Sequence, residues 1–140
     1  MTKKRTTKPA VPLAGDTIRA PIPAPETLSP GAVPEWNRLI ATLAELGTAT
    51  HADLRALELL SECLATESKL RAVLDRDGLT IPGADGNAKA HPGAKLLEST
   101  RNQCHRLLSD FGLIPRGRVT VKAAPKIEND PWDDVIGGLR

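Results

Sequence analysis

Between Thr50 and Asp77 the sequence runs without a single glycine or proline, and Gly78 closes the run. Within it Leu57, Leu60, Cys63, Leu64, Leu70, Val73 and Leu74 recur at helical spacing, and Glu58, Glu62, Glu67, Lys69 and Arg71 fall on the other side. Thr50-His-Ala-Asp53 is a near-capping box that starts this helix, with aspartate where glutamate is more usual. A helix of about 26 residues is roughly 39 Å long. Its apolar face is too long to hide without another helix of comparable length.

A second helix of that kind is legible from Pro92 to about Phe111, with Leu97, Cys104, Leu107, Leu108 and Phe111 on one side and Gly112 as its stop. The connection from Gly78 to His91 carries the turn signal Asp85-Gly86-Asn87, which fits a small β-hairpin or an ordered loop. The two helices therefore form an antiparallel αα-hairpin. Upstream, Ser29-Pro30 offers an N-cap and a first helical residue, while Pro34 makes either a loose first turn or a start at Pro34 itself. Trp36, Leu39, Ile40, Leu43 and Leu46 then mark a short amphipathic helix that Gly47 ends.

Trp36, Phe111 and Trp132 are the aromatic residues of the chain, so its core is aliphatic. A short first helix cannot cover both long apolar faces, and a bare hairpin of this composition is marginal. Uncovered leucine surface then meets another copy through Leu57, Leu60, Leu64, Leu70, Leu74, Leu97, Leu107, Leu108 and Phe111. The expected fold is mainly α: a short N-terminal helix, a long helical hairpin with a small β-hairpin or loop at its tip, and flexible termini. Residues 1–28, with Pro9, Pro12, Pro21, Pro23 and Pro25, read as a disordered arm. Residues 29–113 form the helical core and oligomerisation domain, and residues 114–140 form a tail.

Charge is unevenly placed. Residues 1–28 carry five bases against two acids, 114–126 four bases and no acid, and 127–140 four acids and one base. Basic segments flanking a near-neutral body fit either a polyanion as partner or tails that are charged simply to stay solvated. The arm bases Lys3, Lys4, Arg5 and Lys8 and the downstream bases Arg116, Arg118, Lys122 and Lys126 are candidates for phosphate contacts, with Lys89, Lys95 and Arg101 as a second patch. The segment Trp132-Asp133-Asp134-Val135-Ile136 has the form of a docking peptide: a lone tryptophan in an acidic tail suits a partner's pocket, or packs back on the protein's own assembly.

Nothing in the sequence has the arrangement of an active site, and neither cofactor nor metal is expected. His51, His91 and His105 are dispersed, and adjacent Cys104 and His105 point about 100° apart on a helix. Gly83-Ala-Asp-Gly-Asn-Ala-Lys89 lacks the ending of a phosphate loop. Cys63 and Cys104 lie on apolar helix faces and read as free thiols. The basic start is followed by no apolar leader segment, and no run approaches the roughly 20 apolar residues of a membrane span. A cytosolic, non-catalytic binding protein is expected.

The ordered series of motifs narrows this. A Pro-rich basic arm leads to Leu28-Ser29-Pro30, then Glu35-Trp36-x-x-Leu39, Leu46-Gly47, Thr50-x-x-Asp53, Asp77-Gly78-Leu79, Lys89-x-His91-Pro92 and Phe111-Gly112-Leu113-Ile114-Pro115-x-x-Arg118. Over about residues 25–120 this resembles the small terminase subunits of tailed bacteriophages, in particular the P27 family. Pro34, Ile114 (for a more usual threonine) and Gly117 (for a small polar residue) depart from the pattern. The resemblance implies a homo-oligomeric ring that engages double-stranded viral DNA in the host cytoplasm. It further implies a ring that regulates or recruits the large ATPase and nuclease subunit and is not retained in the mature virion. The large subunit would then be the partner for the Trp132 peptide. The alternatives are a dimeric helical transcription regulator, which needs a compact recognition helix of bases and amides, and a coiled-coil adaptor, which needs stricter heptads.

Overall fold

The computed structural model describes residues 16–121. Helices α1 (Val33–Leu46), α2 (Leu54–Asp77), α3 (Pro92–Asp110) and α4 (Pro115–Arg118) are joined by short turns, and strands β1 (Thr80–Pro82) and β2 (Ala88–Ala90) lie between α2 and α3. The architecture is mainly helical, as the apolar periodicity requires.

Each boundary has a local cause. Thr50 donates its backbone N–H (2.8 Å) and its hydroxyl (2.9 Å) to Asp53 Oδ2. This cap opens a 3-10 turn, His51–Asp53, that runs directly into α2. At the start of α1 the residues Ser29 to Ala32 form a turn closed by Ala32 N–H on Ser29 O (2.8 Å), and the regular helix begins at Val33 with Pro34 in its first turn. Pro34 is therefore where a proline costs least. Gly47 ends α1 in the left-handed region (φ 61°).

The hairpin between the long helices is antiparallel, pairing Thr80 with Ala90, Ile81 with Lys89 and Pro82 with Ala88. Gly86 takes the positive φ that its turn needs. At the far side His91 caps α3, its Nδ1 accepting from Gly93 N–H at 2.9 Å, and its Nε2 lies 3.7 Å from Asp77 Oδ2 at the end of α2. Packing of α2 against α3 supplies the body of the fold.

The largest departure from expectation lies upstream of α1. Residues 16–28 are not a disordered arm: they form a strap packed along the helices. Thr17 bridges Thr50, and Ile18 N–H donates to Ala49 O at 2.9 Å. Ile18 (1 % exposed) and Leu28 are buried, with Ile22 and Ala24 packed beside them. The prolines between these residues fix an extended path in which no ladder donor is missed, so they favour the strap. The strap is fastened twice more. Trp36 Nε1–H donates to Ile22 O at 2.9 Å, and the Glu62 carboxylate accepts from Ser29 N–H (2.5 Å) and Ser29 Oγ (2.8 Å). These bonds hold the Glu62 carboxyl below the usual carboxylate range, the backbone bond contributing most. Residues 1–15 lie outside the described residues.

The strap changes the account of the leucines. Leu57 and Leu60 (1 % and 0 % exposed) and Phe111 sit in the chain's own core with Ile18, Trp36, Ile40 and Leu43. Leu64, Leu107 and Leu108 are half-buried against that core. Leu74 and Leu97 are buried farther along α2 and α3, and Leu70 is half-buried. Of the nine leucine and phenylalanine positions expected to meet a second copy, Leu57, Leu60, Leu74, Leu97 and Phe111 are thus consumed within one chain. The strap supplies the cover that α1 alone could not. The large apolar residues left exposed are others: Leu46, Leu59, Leu79, Leu96 and Val119.

Toward the tip the core thins to a seam between α2 and α3. Cys63 and Cys104 meet there, both free and buried. Burial pushes both thiols up, Cys104 to about 11, with the neighbouring Cys63 and Glu67 adding to the effect.

Two outcomes follow. Ile18→Ala should lower stability by about 2–5 kcal/mol in urea titration, as for a core isoleucine; a loss under about 0.5 kcal/mol would return the strap to the surface. Between pH 9 and about 11 the unfolded chain releases a thiol proton that the folded chain keeps, so stability should fall as pH rises through that window. Melting temperatures from pH 8 to 11 should show the decline, and Cys104→Ala should flatten it.

Candidate nucleic-acid interface

The candidate cations divide by what they already hold. Lys89, on β2, lies 3.8 Å from Asp85 Oδ1 across the hairpin turn. Arg101 reaches from α3 to α2, where its Nε donates to Glu67 Oε1 at 2.8 Å, so it clamps the two helices together. Lys95, Arg116 and Arg118 are exposed and, among the described residues, form no ion pair. A cation without a carboxylate partner gives up less on meeting a phosphate. Lys3, Lys4, Arg5, Lys8, Lys122 and Lys126 lie outside the described residues, as does the Trp132, Asp133, Asp134, Val135, Ile136 peptide.

Arg116 and Arg118 are more firmly placed than a basic tail segment. Pro115 opens α4 at its first helical position, with Ile114 in the extended conformation just before it. Gly117, buried between the two arginines, lies so close to the end of α3 that a Cβ there would stand 2.1 Å from the Ser109 carbonyl oxygen. Any side chain at 117 would push α4 off α3. Gly112 (φ 68°) makes the turn between them, and Val121 closes over it, where a Cβ on Gly112 would meet the Val121 Cβ at 3.1 Å. Gly117 and Gly112 together pin the Arg116 and Arg118 segment at one end of the α2–α3 hairpin.

The second patch is not continuous with the first. Lys95 sits near the start of α3 and α4 at its end, a separation of roughly 22 Å along the helix. Arg106, exposed on α3 and without an ion pair among the described residues, lies between them. It belongs to neither basic segment of the sequence, and charge counted by segment passes over it. Helical phase would have found it, three turns on from Lys95.

A different surface is apolar. A shallow groove of about 780 Å³ runs between Thr27-Leu28 and the first half of α2, floored by Ala52, Ala56 and Leu59. The Arg55–Glu58 ion pair and Glu62 form its rim. Leu59 is 49 % exposed within it. Among the described residues no group of three or more His, Cys, Asp or Glu side chains is placed to hold a metal ion, and no helix is long and apolar enough to cross a membrane.

A family model described as "Phage terminase, small subunit" matches residues 32–128. The chain belongs to that family. The match spans α1 to α4 in full, so the helical hairpin and the α4 clasp are parts of the terminase small-subunit domain, while the strap (16–28) and most of the turn after it precede the match. No curated protein and no solved structure matches the chain.

For this terminase family member, Gly117→Ala should detach α4 and leave α2 and α3 in place. Limited trypsin digestion should then cleave after Arg116 and Arg118 several times faster than in the wild type, with unchanged helical circular dichroism. Unchanged cleavage would mean that the contact with Ser109 does not hold α4.

Proposed function

We propose that the chain is the non-catalytic DNA-engaging subunit of a tailed-phage packaging machine, of the P27 type, acting in the host cytoplasm before the virion is complete. In this reading it assembles as a ring, binds double-stranded viral DNA, and regulates or recruits the large ATPase and nuclease subunit. The observation that carries the proposal is the family match over the whole helical hairpin and α4. Arg116 and Arg118, without an ion pair among the described residues and held on an α4 packed against α3, support a phosphate contact at that end. Assembly is supported by the groove at Ala52, Ala56 and Leu59 and by the exposed Leu46 and Leu96, since the leucines buried within the chain have no surface to offer.

The reading is tested with full-length protein and a duplex DNA probe. Affinity should fall steeply with salt, and Arg116→Glu with Arg118→Glu should weaken binding and reduce the log–log salt slope by about 2, one unit for each phosphate no longer neutralised. An unchanged slope would remove α4 from the interface. Native mass spectrometry should find many copies per particle. A dimer would favour the transcription regulator instead.

A further inference from the structure

We propose that the outer face of α3 enters the major groove of duplex DNA, with Lys95, Ser99, Asn102 and Arg106 as the side chains that read base edges. The inference rests on the DNA-engaging role just described and adds to it a sequence-reading surface distinct from the phosphate-contacting α4.

The face is defined by what α3 buries. Leu97, Thr100, Cys104 and Phe111 point into the α2–α3 seam and the core. On a helix that advances 100° per residue, the spacing 95, 99, 102, 106 places four residues within an arc of about 60°, directly opposite the buried side. All four are exposed. α2 covers the reverse of α3, β1 and β2 lie before its start and α4 lies beyond its end, so among the described elements none covers this stripe.

Two polar side chains on the α2-facing side of α3 are already committed, whereas Gln103 and His105, exposed to either side of the stripe, are not bonded among the described residues. Thr100 gives its hydroxyl to Leu96 O at 2.8 Å, and Arg101 gives its guanidinium to Glu67. Among the described residues Lys95, Ser99, Asn102 and Arg106 have no side-chain hydrogen bond or ion pair. An outward row of unspent donors carries no evident structural duty. Its chemistry is that of groove readout: lysine and arginine donate to guanine O6 and N7, asparagine pairs with adenine N6 and N7, and serine serves several bases. Glu98 and Asp110 border the stripe, and a carboxylate in a groove accepts from the cytosine amine.

Dimensions and charge also fit. Lys95 to Arg106 spans roughly 16 Å, close to the rise of five base pairs, and the major groove of about 12 Å admits one helix. Arg116 and Arg118 continue the positive charge past the end of α3, where the phosphate backbone would bound the groove. The deep, narrow groove of double-stranded RNA would not admit the helix, so duplex DNA is the occupant.

The experiment is selection from a randomised duplex DNA library with the full-length protein, followed by titration of the enriched duplex against a scrambled one. The wild type should enrich a motif. Lys95→Ala with Asn102→Ala and Arg106→Ala should lose discrimination at adjacent positions, roughly 5- to 150-fold per base pair, while keeping low-salt binding to scrambled DNA. Asn102→Asp alone should shift the preferred base, which mere unfolding would not do. Arg116→Glu with Arg118→Glu should weaken all duplexes alike and leave the motif unchanged. A wild type that binds duplex DNA with no preference, or a triple variant with an unaltered motif, overturns the inference and leaves the DNA-engaging role standing. Absence of any duplex binding overturns both. A triple variant that changes particle mass and not preference would make the stripe a contact between copies and overturn it as well.

Discussion

The bonds that Ser29 and Ile22 make to Glu62 and Trp36 hold a proline-rich strap across α1 and α2, and most of the core rests on that strap staying in place. A helical hairpin with Phe111 and Trp36 as its aromatics has little apolar volume to spare. Ile18 and Leu28 fill the space between helices that would otherwise stand apart, and the Trp36 indole is buried only because Ile22 O accepts its N–H. Once these residues are seated, Leu57 and Leu60 of α2 are enclosed within a single chain. That enclosure decides which surfaces remain for other molecules.

The helices were legible because their signals are local and agree with one another. The stops at Gly47, Gly78 and Gly112 fix the ends of α1, α2 and α3 to within about a residue, while α1 begins at Val33, beside the second of its two possible starts, and α2 at Leu54, one 3-10 turn after the Thr50–Asp53 cap. Asp85-Gly86-Asn87 does the same for the hairpin turn. The strap was not legible, because proline density has two physical meanings. It excludes helix and sheet in every context, but whether the extended chain floats or packs depends on a distant apolar surface, here one made by α1 and α2. Pro21, Pro23 and Pro25 carry no mark of which. Leu57, Leu60 and Phe111 look uncovered only as long as the strap is left out, whereas Leu74 and Leu97 are buried where α2 packs on α3.

Among the candidate cations the residue types are readable in the sequence and their grouping is not. Lys95, Arg101, Arg116 and Arg118 are equivalent in composition, yet Arg101 is occupied by Glu67 across a helix pair and the other three have no ion pair among the described residues. No spacing rule joins Arg101 to a glutamate 34 positions away. The same holds for Gly117. As a sequence feature it is a departure from the family pattern; in the fold it is the residue that lets α4 lie against Ser109. Arg106 shows the converse, a residue whose place follows from helical phase alone.

The core is thick at one end of the molecule and thin at the other. Strap, α1, the first half of α2 and the end of α3 converge at the base, whereas the stem beyond Cys63 and Cys104 is two helices and a pair of three-residue strands with exposed side chains. Such a body is stiff at its root and compliant at its free end. Force applied at the root through α4 meets a packed base, while load applied at the tip bends the stem first. A subunit built in this way can keep a fixed grip at one end while its other end follows a ligand that turns or translates past it.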